Sequence, residues 1–451
     1  MKTKFTYLMA AFLCLILASC STNESPFTLS QDSFTDVPPE GKTLSLDIHT
    51  SGEWTATSLN KDWCNVTPSK GTGDATIQIE VMGNISKDRT GTVVIYCNGT
   101  QTNIDIVQKA VPAGQELTYR IPVIFHVLYK DQSDPHQYIT ANRIKQVLAK
   151  VNQYYDGQTI AAGGDAGQDI NLDFYLPETD EAGNPLETPG VEYIAWNEMP
   201  IDCENFMVSN SSKILNLLWN MNKYINVMLY NFSEVNGSLI LGISHLPLSV
   251  EGPNYLEGLQ SVKYDRLENS NLGYPHCVSI NSLYFDQDTP AGYYNAADAN
   301  VTLAHELGHY LGLHHAFDED ENAQETGGLS TACIDSDYCP DTPSYNRYAY
   351  QMMLAEYYKN FSMEAFEREN CQTGTTFTSY NLMDYEISYA DRFTPNQRER
   401  MRHVLEYSPL IPGPKRTAST RSVAPQGVLD IPIIYKAVSY THLTLPTNSL
   451  V

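Results

Sequence analysis

The chain has 451 residues, which is long enough for two or three domains, each with a core of its own. Hydrophobic residues make up 42% and charged residues 18%, a composition that excludes an intrinsically disordered chain. Acidic residues outnumber basic residues by 53 to 28, which gives a formal net charge of -25. This charge argues against nucleic acid as a partner and against a polybasic attachment to lipid, because both need clustered lysine and arginine.

Residues 1–19 predict an export signal. Two lysines within the first four residues precede an apolar stretch that is too short to cross a membrane as a helix. Small residues then lead into Cys20, and this pattern resembles the lipobox of bacterial lipoproteins, in which the cysteine carries the lipid. The resemblance implies a lipid anchor at Cys20 and a place in the cell envelope, at the outer membrane. Residues 20–26 are mostly polar and predict a tether. An ordinary signal peptide is the alternative.

Residues 27–110 predict an all-β domain. Short segments in which apolar and polar residues alternate are separated by glycine and asparagine, which is typical of an antiparallel sandwich of immunoglobulin type. The predicted strands are Thr43–Ile48, Ala75–Val81, Thr92–Tyr96 and Asn103–Val107.

The same segment resembles the BACON domain, a module found in front of exported gut-bacterial proteins. The resemblance rests on Trp54-Thr-Ala, Trp63 with Val66-Thr-Pro-Ser, Arg89-Thr-Gly and Ile106-Val-Gln. The name of that family implies carbohydrate binding. A sugar platform needs exposed aromatic faces, and this segment has few aromatic residues. A spacer is therefore the main interpretation, and glycan binding is the alternative.

A second domain is predicted over residues 119–412, after a linker at 111–118. Ile121–Tyr129 predicts a buried strand, and Ile139–Tyr155 predicts a helix, opened by Thr140, whose apolar residues recur at helical spacing. Strands mixed with long helices predict an α/β or α+β domain. Further strands are predicted at Ile170–Tyr175, Tyr224–Tyr230 and Val278–Leu283.

Four of the eleven histidines fall between positions 305 and 315. His305 and His309 lie on one face of a helix, where two imidazoles can hold one Zn²⁺. Glu306 lies within reach of a water at that metal. Gly312 allows a left-handed turn that ends the helix and lets a third histidine approach the metal from the side. Three neutral imidazoles leave the zinc an open position for a water whose proton Glu306 can take.

This segment resembles the HExxHxxGxxH motif of the metzincin zinc peptidases, whose spacing selects His315 rather than His314. Downstream, Tyr380–Tyr385 reads Tyr-Asn-Leu-Met-Asp-Tyr and resembles the Met-turn of those enzymes. The resemblance implies that Met383 forms an apolar floor beneath the histidines. It also implies that Tyr385 stabilises the oxyanion of the reaction, with a packing role as the alternative.

Within the metzincins, the domain resembles the pappalysin branch. The matching segments are Ile121-Pro-Val, Phe125-His-Val, Tyr224-Ile-Asn-Val, His315-Ala-Phe, Asp341-Thr-Pro, Asn381-Leu-Met-Asp-Tyr and Phe393-Thr-Pro-Asn-Gln. The family implies an endopeptidase with a horizontal cleft between an upper and a lower half. His126 and His245 are then expected in the core or the cleft wall and not among the ligands.

The same resemblance implies disulfides and calcium below the cleft. Cys333 and Cys371 suit one disulfide, with Cys339 as an alternative partner. Asp337 and the carbonyl of Thr342 fall at the positions of calcium ligands in some relatives, so both are candidate calcium ligands.

Residues 413–451 are predicted to form a tail outside the peptidase domain. Leu429–Tyr435 predicts a strand. Residues 437–451 resemble a translated sequencing adaptor and are left out of the fold prediction.

The sequence thus predicts a secreted, lipid-anchored zinc endopeptidase that acts on protein or peptide substrates. One alternative is a glycan-binding surface lipoprotein in which residues 27–110 carry the main role. The peptidase and glycan-binding hypotheses both hold if residues 27–110 dock the peptidase on a glycoprotein. A metal-binding domain without catalysis is the third hypothesis, and the presence of Glu306 and Tyr385 argues against it.

Overall fold

The computed structural model describes residues 27–61, 63–97, 99–112, 114–234, 238–288, 297–317, 335–357, 363–385, 387–416 and 422–441. The predicted export signal, Cys20 and Cys333 lie outside these ranges. Over the described ranges, no helix is both long enough and apolar enough to cross a membrane.

Nine strands between residues 28 and 108 build the N-terminal domain. They are β1 (Thr28–Leu29), β2 (Ser33–Val37), β3 (Lys42–His49), β4 (Glu53–Ser58), β5 (Cys64–Thr67), β6 (Lys70–Thr72), β7 (Ala75–Val81), β8 (Arg89–Cys97) and β9 (Thr100–Gln108). Two sheets, β1-β3-β7-β5 and β2-β9-β8-β4-β6, enclose one apolar core. Alternate residues point into that core because successive side chains of a strand face opposite ways. The predicted all-β domain is confirmed.

Aromatic side chains of this domain mainly serve its packing. Trp54 is 2% exposed and Phe27 is 4% exposed. The guanidinium carbon of Arg89 lies 4.1 Å from the ring centroid of Trp63. Tyr96, at 49% exposed, is the aromatic side chain of this domain that most clearly faces solvent.

A mixed sheet of seven strands forms the centre of the second domain. Its strands are β10 (Tyr119–Tyr129), β11 (Leu172–Tyr175), β12 (Val191–Ala195), β13 (Ile225–Tyr230), β14 (Ser238–His245), β17 (Val278–Asn281) and β20 (Tyr435–Thr441). The order is β11-β10-β13-β17-β14-β20, and β12 also pairs with β10. Every residue of β13 is buried, as expected for a central strand covered on both faces. Strand β14 runs antiparallel to both of its neighbours.

Some helices of this domain pack on the sheet and others lie beside it, and short strand pairs lie outside it. The helices are α1 (Ala141–Tyr155), α2 (Cys203–Met207), α3 (Ser212–Leu215), α4 (Ala299–Tyr310), α5 (Arg347–Tyr357) and α6 (Pro395–Tyr407). The remaining strands are β15 (Ser249–Val250), β16 (Ser261–Val262), β18 (Glu367–Glu369) and β19 (Thr376–Thr378). The predicted α/β fold of the second domain is confirmed.

Helix α1 packs directly against α4. Thr140 caps α1 by accepting a hydrogen bond from the Arg143 amide at 3.3 Å, as the sequence predicts. Near the other end of α1, the Tyr155 hydroxyl donates to the carbonyl of Ala304 at 3.1 Å. Tyr155 is fully buried, so this contact fixes α4 against the core.

The tail differs from its prediction. A strand is predicted at Leu429–Tyr435, but the structure has it at Tyr435–Thr441, antiparallel to β14. Residues 437–441 belong to the segment that was left out of the fold prediction, so the edge strand β20 was missed. The adaptor origin of residues 437–451 stays a prediction.

Candidate metal centre

Helix α4 presents the first two histidines from inside the core. Its first turn is capped by Asp298, whose Oδ1 accepts from the amides of Asn300 at 2.8 Å and Val301 at 3.2 Å. Every residue of α4 except Val301 is buried. A helix buried on all sides holds its side chains in fixed orientations, so His305 and His309 have little freedom to leave their shared face.

A glycine turn returns the chain toward the helix. Gly312 has a φ of +93°, in the left-handed region that favours glycine. A Cβ at this position would also lie 2.7 Å from Cγ2 of Val404. Arg400 donates from Nε to the carbonyl of Gly312 at 2.6 Å and so stabilises the turn. The turn brings His315 back over the first two histidines.

The three predicted ligands meet. One candidate ligand atom from each of His305, His309 and His315 lies within 4.8 Å of the other two, and all three side chains are buried. Nε2 of His309 lies 3.0 Å from Nε2 of His315. His314 instead points away, with Nε2 at 3.1 Å from the carbonyl of Gly258. The structure therefore selects His315 over His314, as the motif does.

Hydrogen bonds define which nitrogens face the centre of the triad. His305 donates from Nδ1 to the carbonyl of Leu382 at 2.7 Å, and His309 donates from Nδ1 to the carbonyl of Leu313 at 2.8 Å. With Nδ1 protonated, the Nε2 lone pair of a neutral ring remains for a metal. Burial lowers the pKa of His309 well below its ordinary value, and His315 and His305 lower it further. A buried set of neutral imidazoles fits zinc.

The Met-turn lies directly beneath α4. A Cβ on Gly308 would lie 2.6 Å from Sδ of Met383, which is fully buried. The carbonyl of Met383 accepts from the amide of Ala316 at 3.0 Å, beside the third histidine. The ring of Tyr385 is 3% exposed, and its centroid lies 4.3 Å from that of His315. Both predicted residues of the turn thus contact the histidine site.

Glu306 lies between α4 and the sheet. It is fully buried, and a Cβ on Gly242 of β14 would lie 2.6 Å from its Cγ. Gly242 was not identified from the sequence. A glycine inside an otherwise apolar strand was the available signal, because it often marks a close approach of another group.

The candidate calcium ligands are buried but do not form a complete site. Burial, together with the neighbouring carboxylate of Asp335, raises the pKa of Asp337 to about 8. Thr342 is 5% exposed. Among the described residues, the His triad is the group of three or more histidine, cysteine or acidic side chains close enough to hold one ion. Calcium binding stays a prediction.

The other predicted residues take structural positions. His126 is bonded through Nδ1 to Glu192 at 2.9 Å and through Nε2 to Asn226 at 3.0 Å. Both ring nitrogens of His245 contact backbone carbonyls, those of Cys277 and Met207. These two histidines lie in the core and outside the triad.

One cysteine of the predicted disulfide can be placed. Cys371 is disulfide-bonded, and Cys333 lies outside the described residues. Cys339 is a free, buried thiol. The alternative pairing through Cys339 is therefore wrong.

In comparison with known proteins, two family models match parts of the chain. The peptidase M43 model, described as pregnancy-associated plasma protein-A, matches residues 275–406. The BACON model, described as a proposed N-terminal binding domain, matches residues 52–109. Extracellular metalloproteases of Arthroderma benhamiae and Trichophyton verrucosum are each 25% identical over 150 residues, which is 33% of this chain and 46% of theirs. The chain thus spans about half the length of the relatives it matches.

Solved structures show more distant similarity. Mature mirolysin of Tannerella forsythia, in complex with a cleaved peptide, has a TM-score of 0.40 at 20% identity, over 64% of this chain and 92% of that chain. A GH5 xyloglucanase of Bacteroides ovatus has a TM-score of 0.18 at 12% identity, over 47% of this chain and 57% of that chain. Both scores are low, so the sequence matches carry the family relationship. They confirm the predicted resemblance: residues 275–406 match the pappalysin family of metallopeptidases, and residues 52–109 match the BACON family.

Proposed function

We propose that the chain is a zinc-dependent endopeptidase that hydrolyses peptide bonds in protein or peptide substrates. The observation that carries this proposal is the buried triad of His305, His309 and His315, with Glu306 on the same helix. The metallopeptidase family match over residues 275–406 supports it.

Each side chain around the triad has a separate role in the proposed reaction. When bound by the three histidines, zinc supplies a Lewis acid that acidifies a water and polarises the carbonyl of the substrate. Glu306 takes a proton from the attacking water as the oxygen–carbon bond forms, and it passes the proton to the amine as the carbon–nitrogen bond breaks. The hydroxyl of Tyr385 donates a hydrogen bond to the oxygen on which negative charge develops. Backbone acceptors at Leu382 and Leu313 keep two of the histidine rings in their ligating orientation.

We place the substrate along the outer edge of β14. That strand contacts Glu306 through Gly242, so a chain paired with its edge passes close to the proposed base. Strand β20 occupies this edge in the structure, with Gly242 opposite Val438, which shows that an extended backbone fits there; the substrate takes the place of β20. Main-chain hydrogen bonds of this kind bind an extended peptide without regard to its sequence, and side-chain pockets then add specificity.

Two finer features belong to the same proposal. A lipid on Cys20 holds the enzyme in the cell envelope, at the outer membrane, as the lipobox pattern indicates. Asp337 and Thr342 hold calcium in a structural role, since a cation would offset the burial of the Asp337 carboxylate.

Zinc analysis combined with proteolysis tests the proposed function. We expect about one zinc per purified full-length chain and cleavage of casein or a peptide library that a chelator abolishes. Folded protein without zinc would overturn the proposal, as would cleavage that is insensitive to the chelator.

Glycan binding by the N-terminal domain is the second candidate function. The BACON match favours it, because that family is described as a binding domain. Four of the five aromatic rings of this domain lie in its core or pack against it, which argues for a spacer instead. A glycan array probed with the full chain distinguishes the two, because a spacer gives a flat array.

A further inference from the structure

A buried ion pair holds the backbone of Tyr385 from both sides. The amide of Tyr385 donates to Oδ1 of Asp384 at 2.7 Å, and its carbonyl accepts from Nη2 of Arg368 at 3.2 Å. Arg368 is 1% exposed and lies 3.4 Å from Asp384. The hydroxyls of Tyr345 and Ser379 also donate to Asp384. These contacts fix the main chain, while the direction of the phenol ring depends on what packs against the ring itself.

Within the described part of the chain, three aromatic rings and one guanidinium lie against that ring, and one of the rings is His305, at 5.6 Å between centroids. His315 meets it edge to face at 4.3 Å between centroids, and Phe317 lies 4.9 Å away. The guanidinium carbon of Arg347 lies 4.4 Å from the Tyr385 centroid and 4.8 Å from the Phe317 centroid. Arg347 is thus the cation that contacts both aromatic neighbours of the third histidine.

The guanidinium of Arg347 adds an attraction that helps to fix the orientation of the Tyr385 ring. A guanidinium attracts the face of an aromatic ring, and the attraction grows where water is excluded. Tyr385 is 3% exposed, so its side of the contact is desolvated. The hydroxyl lies at the far end of the ring, so a small rotation moves it by a large fraction of an ångström. Displacements of that size cost an active site a large part of its rate.

We infer that Arg347 is a positioning residue that keeps the Tyr385 hydroxyl aimed at the oxyanion. The inference rests on the proposed function, in which Tyr385 donates that hydrogen bond. Arg347 acts through Tyr385 and does not contact the reacting atoms. Its removal therefore lowers kcat and leaves KM unchanged.

A double-mutant cycle tests this inference. Arg347→Met and Arg347→Lys are made in the wild-type chain and in a Tyr385→Phe background, and kcat and KM are measured on a peptide from the cleavage screen. We expect Arg347→Met to lower kcat about tenfold with KM within about twofold, and Arg347→Lys to fall between it and the wild type. In the Tyr385→Phe background, Arg347→Met causes no further loss, because the hydroxyl is absent.

A matched control separates the effect from a general loss of stacking. Arg120 also lies over a tyrosine ring, with its guanidinium carbon 5.1 Å from the centroid of Tyr175, outside the histidine site. We expect Arg120→Met to leave kcat unchanged. Zinc content and the thermal midpoint, measured on every variant, show whether the fold persists.

Several outcomes would overturn the inference. An equal loss of kcat from Arg347→Met in both backgrounds would mean a structural role. A change in KM alone would mean that Arg347 binds substrate, and an unchanged kcat would mean that it has no role. A wild-type chain without chelator-sensitive cleavage would overturn the proposed function first, and the inference would fall with it.

Discussion

Replacing Gly242 with alanine tests how closely β14 contacts the proposed base. The added Cβ would lie 2.6 Å from Cγ and 2.7 Å from Oε1 of Glu306. Carbon atoms in contact are normally about 3.5–4.0 Å apart, so one of the two groups must move by about 1 Å. Strand β14 is paired on both sides, so Glu306 is the group expected to move.

The size of the effect follows from that displacement. A misplacement of about 1 Å at a reacting group costs about 10²-fold in rate, and overpacking a core position costs about 1–3 kcal/mol. For Gly242→Ala we expect kcat about 100-fold below wild type, a lower thermal midpoint and an unchanged zinc content. Zinc is retained because the substitution does not touch the three histidines.

Steady-state kinetics with metal analysis on the same sample measures both quantities. Gly273→Ala is the matched control, because its Cβ would meet only Cγ1 of Val428 at 3.3 Å, and that side chain is 68% exposed and free to shift. If Gly242→Ala kept kcat within about threefold of wild type, the close contact with Glu306 would be refuted. Loss of zinc would show that the change disturbs the whole helix instead.

Three further changes test other parts of the structure. Burial lowers the pKa of His276 to about 4, so between about pH 6.5 and 4 the unfolded chain binds the extra proton. The free energy of unfolding should therefore fall as the pH falls through that window, and it should fall less in His276→Gln by denaturant titration. Arg368→Met leaves the carboxylate of Asp384 buried without its cation, which should lower the free energy of unfolding by about 3–5 kcal/mol. A chain ending at Ile434 lacks β20, so peptide substrates should bind the free β14 edge with a lower KM.

Each of these expectations has a contradicting result. Equal pH dependence in wild type and His276→Gln would remove His276 from the explanation of acid sensitivity. Unchanged stability of Arg368→Met would mean that the ion pair adds nothing beyond its packing. An unchanged KM after the tail is shortened would place the substrate elsewhere than on β14.

Features set by neighbouring residues were the ones that the sequence could predict. The ligands His305 and His309 are one helical turn apart, and the third follows a glycine turn, so local geometry alone brings them together. The N-terminal sandwich was predictable for the same reason, because alternation along each strand reports which side chains face the core. The family resemblance then supplied Met383 and Tyr385, which no local pattern would select.

Contacts between segments that are distant along the chain could not be predicted from the sequence. Gly242 and Glu306 meet only because β14 packs against α4, and Arg347 reaches Tyr385 only because α5 packs beside the Met-turn. The edge strands were also missed. Strand β12 has one buried residue among partly exposed ones, so it lacks the periodicity that identifies a strand, and β20 lies in a segment set aside as foreign.

The substitution Glu306→Gln tests the central claim most directly. Glutamine has nearly the size and shape of glutamate but cannot accept a proton, so it removes the proposed base and leaves the histidines intact. We expect Glu306→Gln to bind zinc as the wild type does and to lose about 10²–10⁴-fold in the rate of peptide cleavage. Full cleavage by a zinc-loaded Glu306→Gln variant would contradict the proposed mechanism.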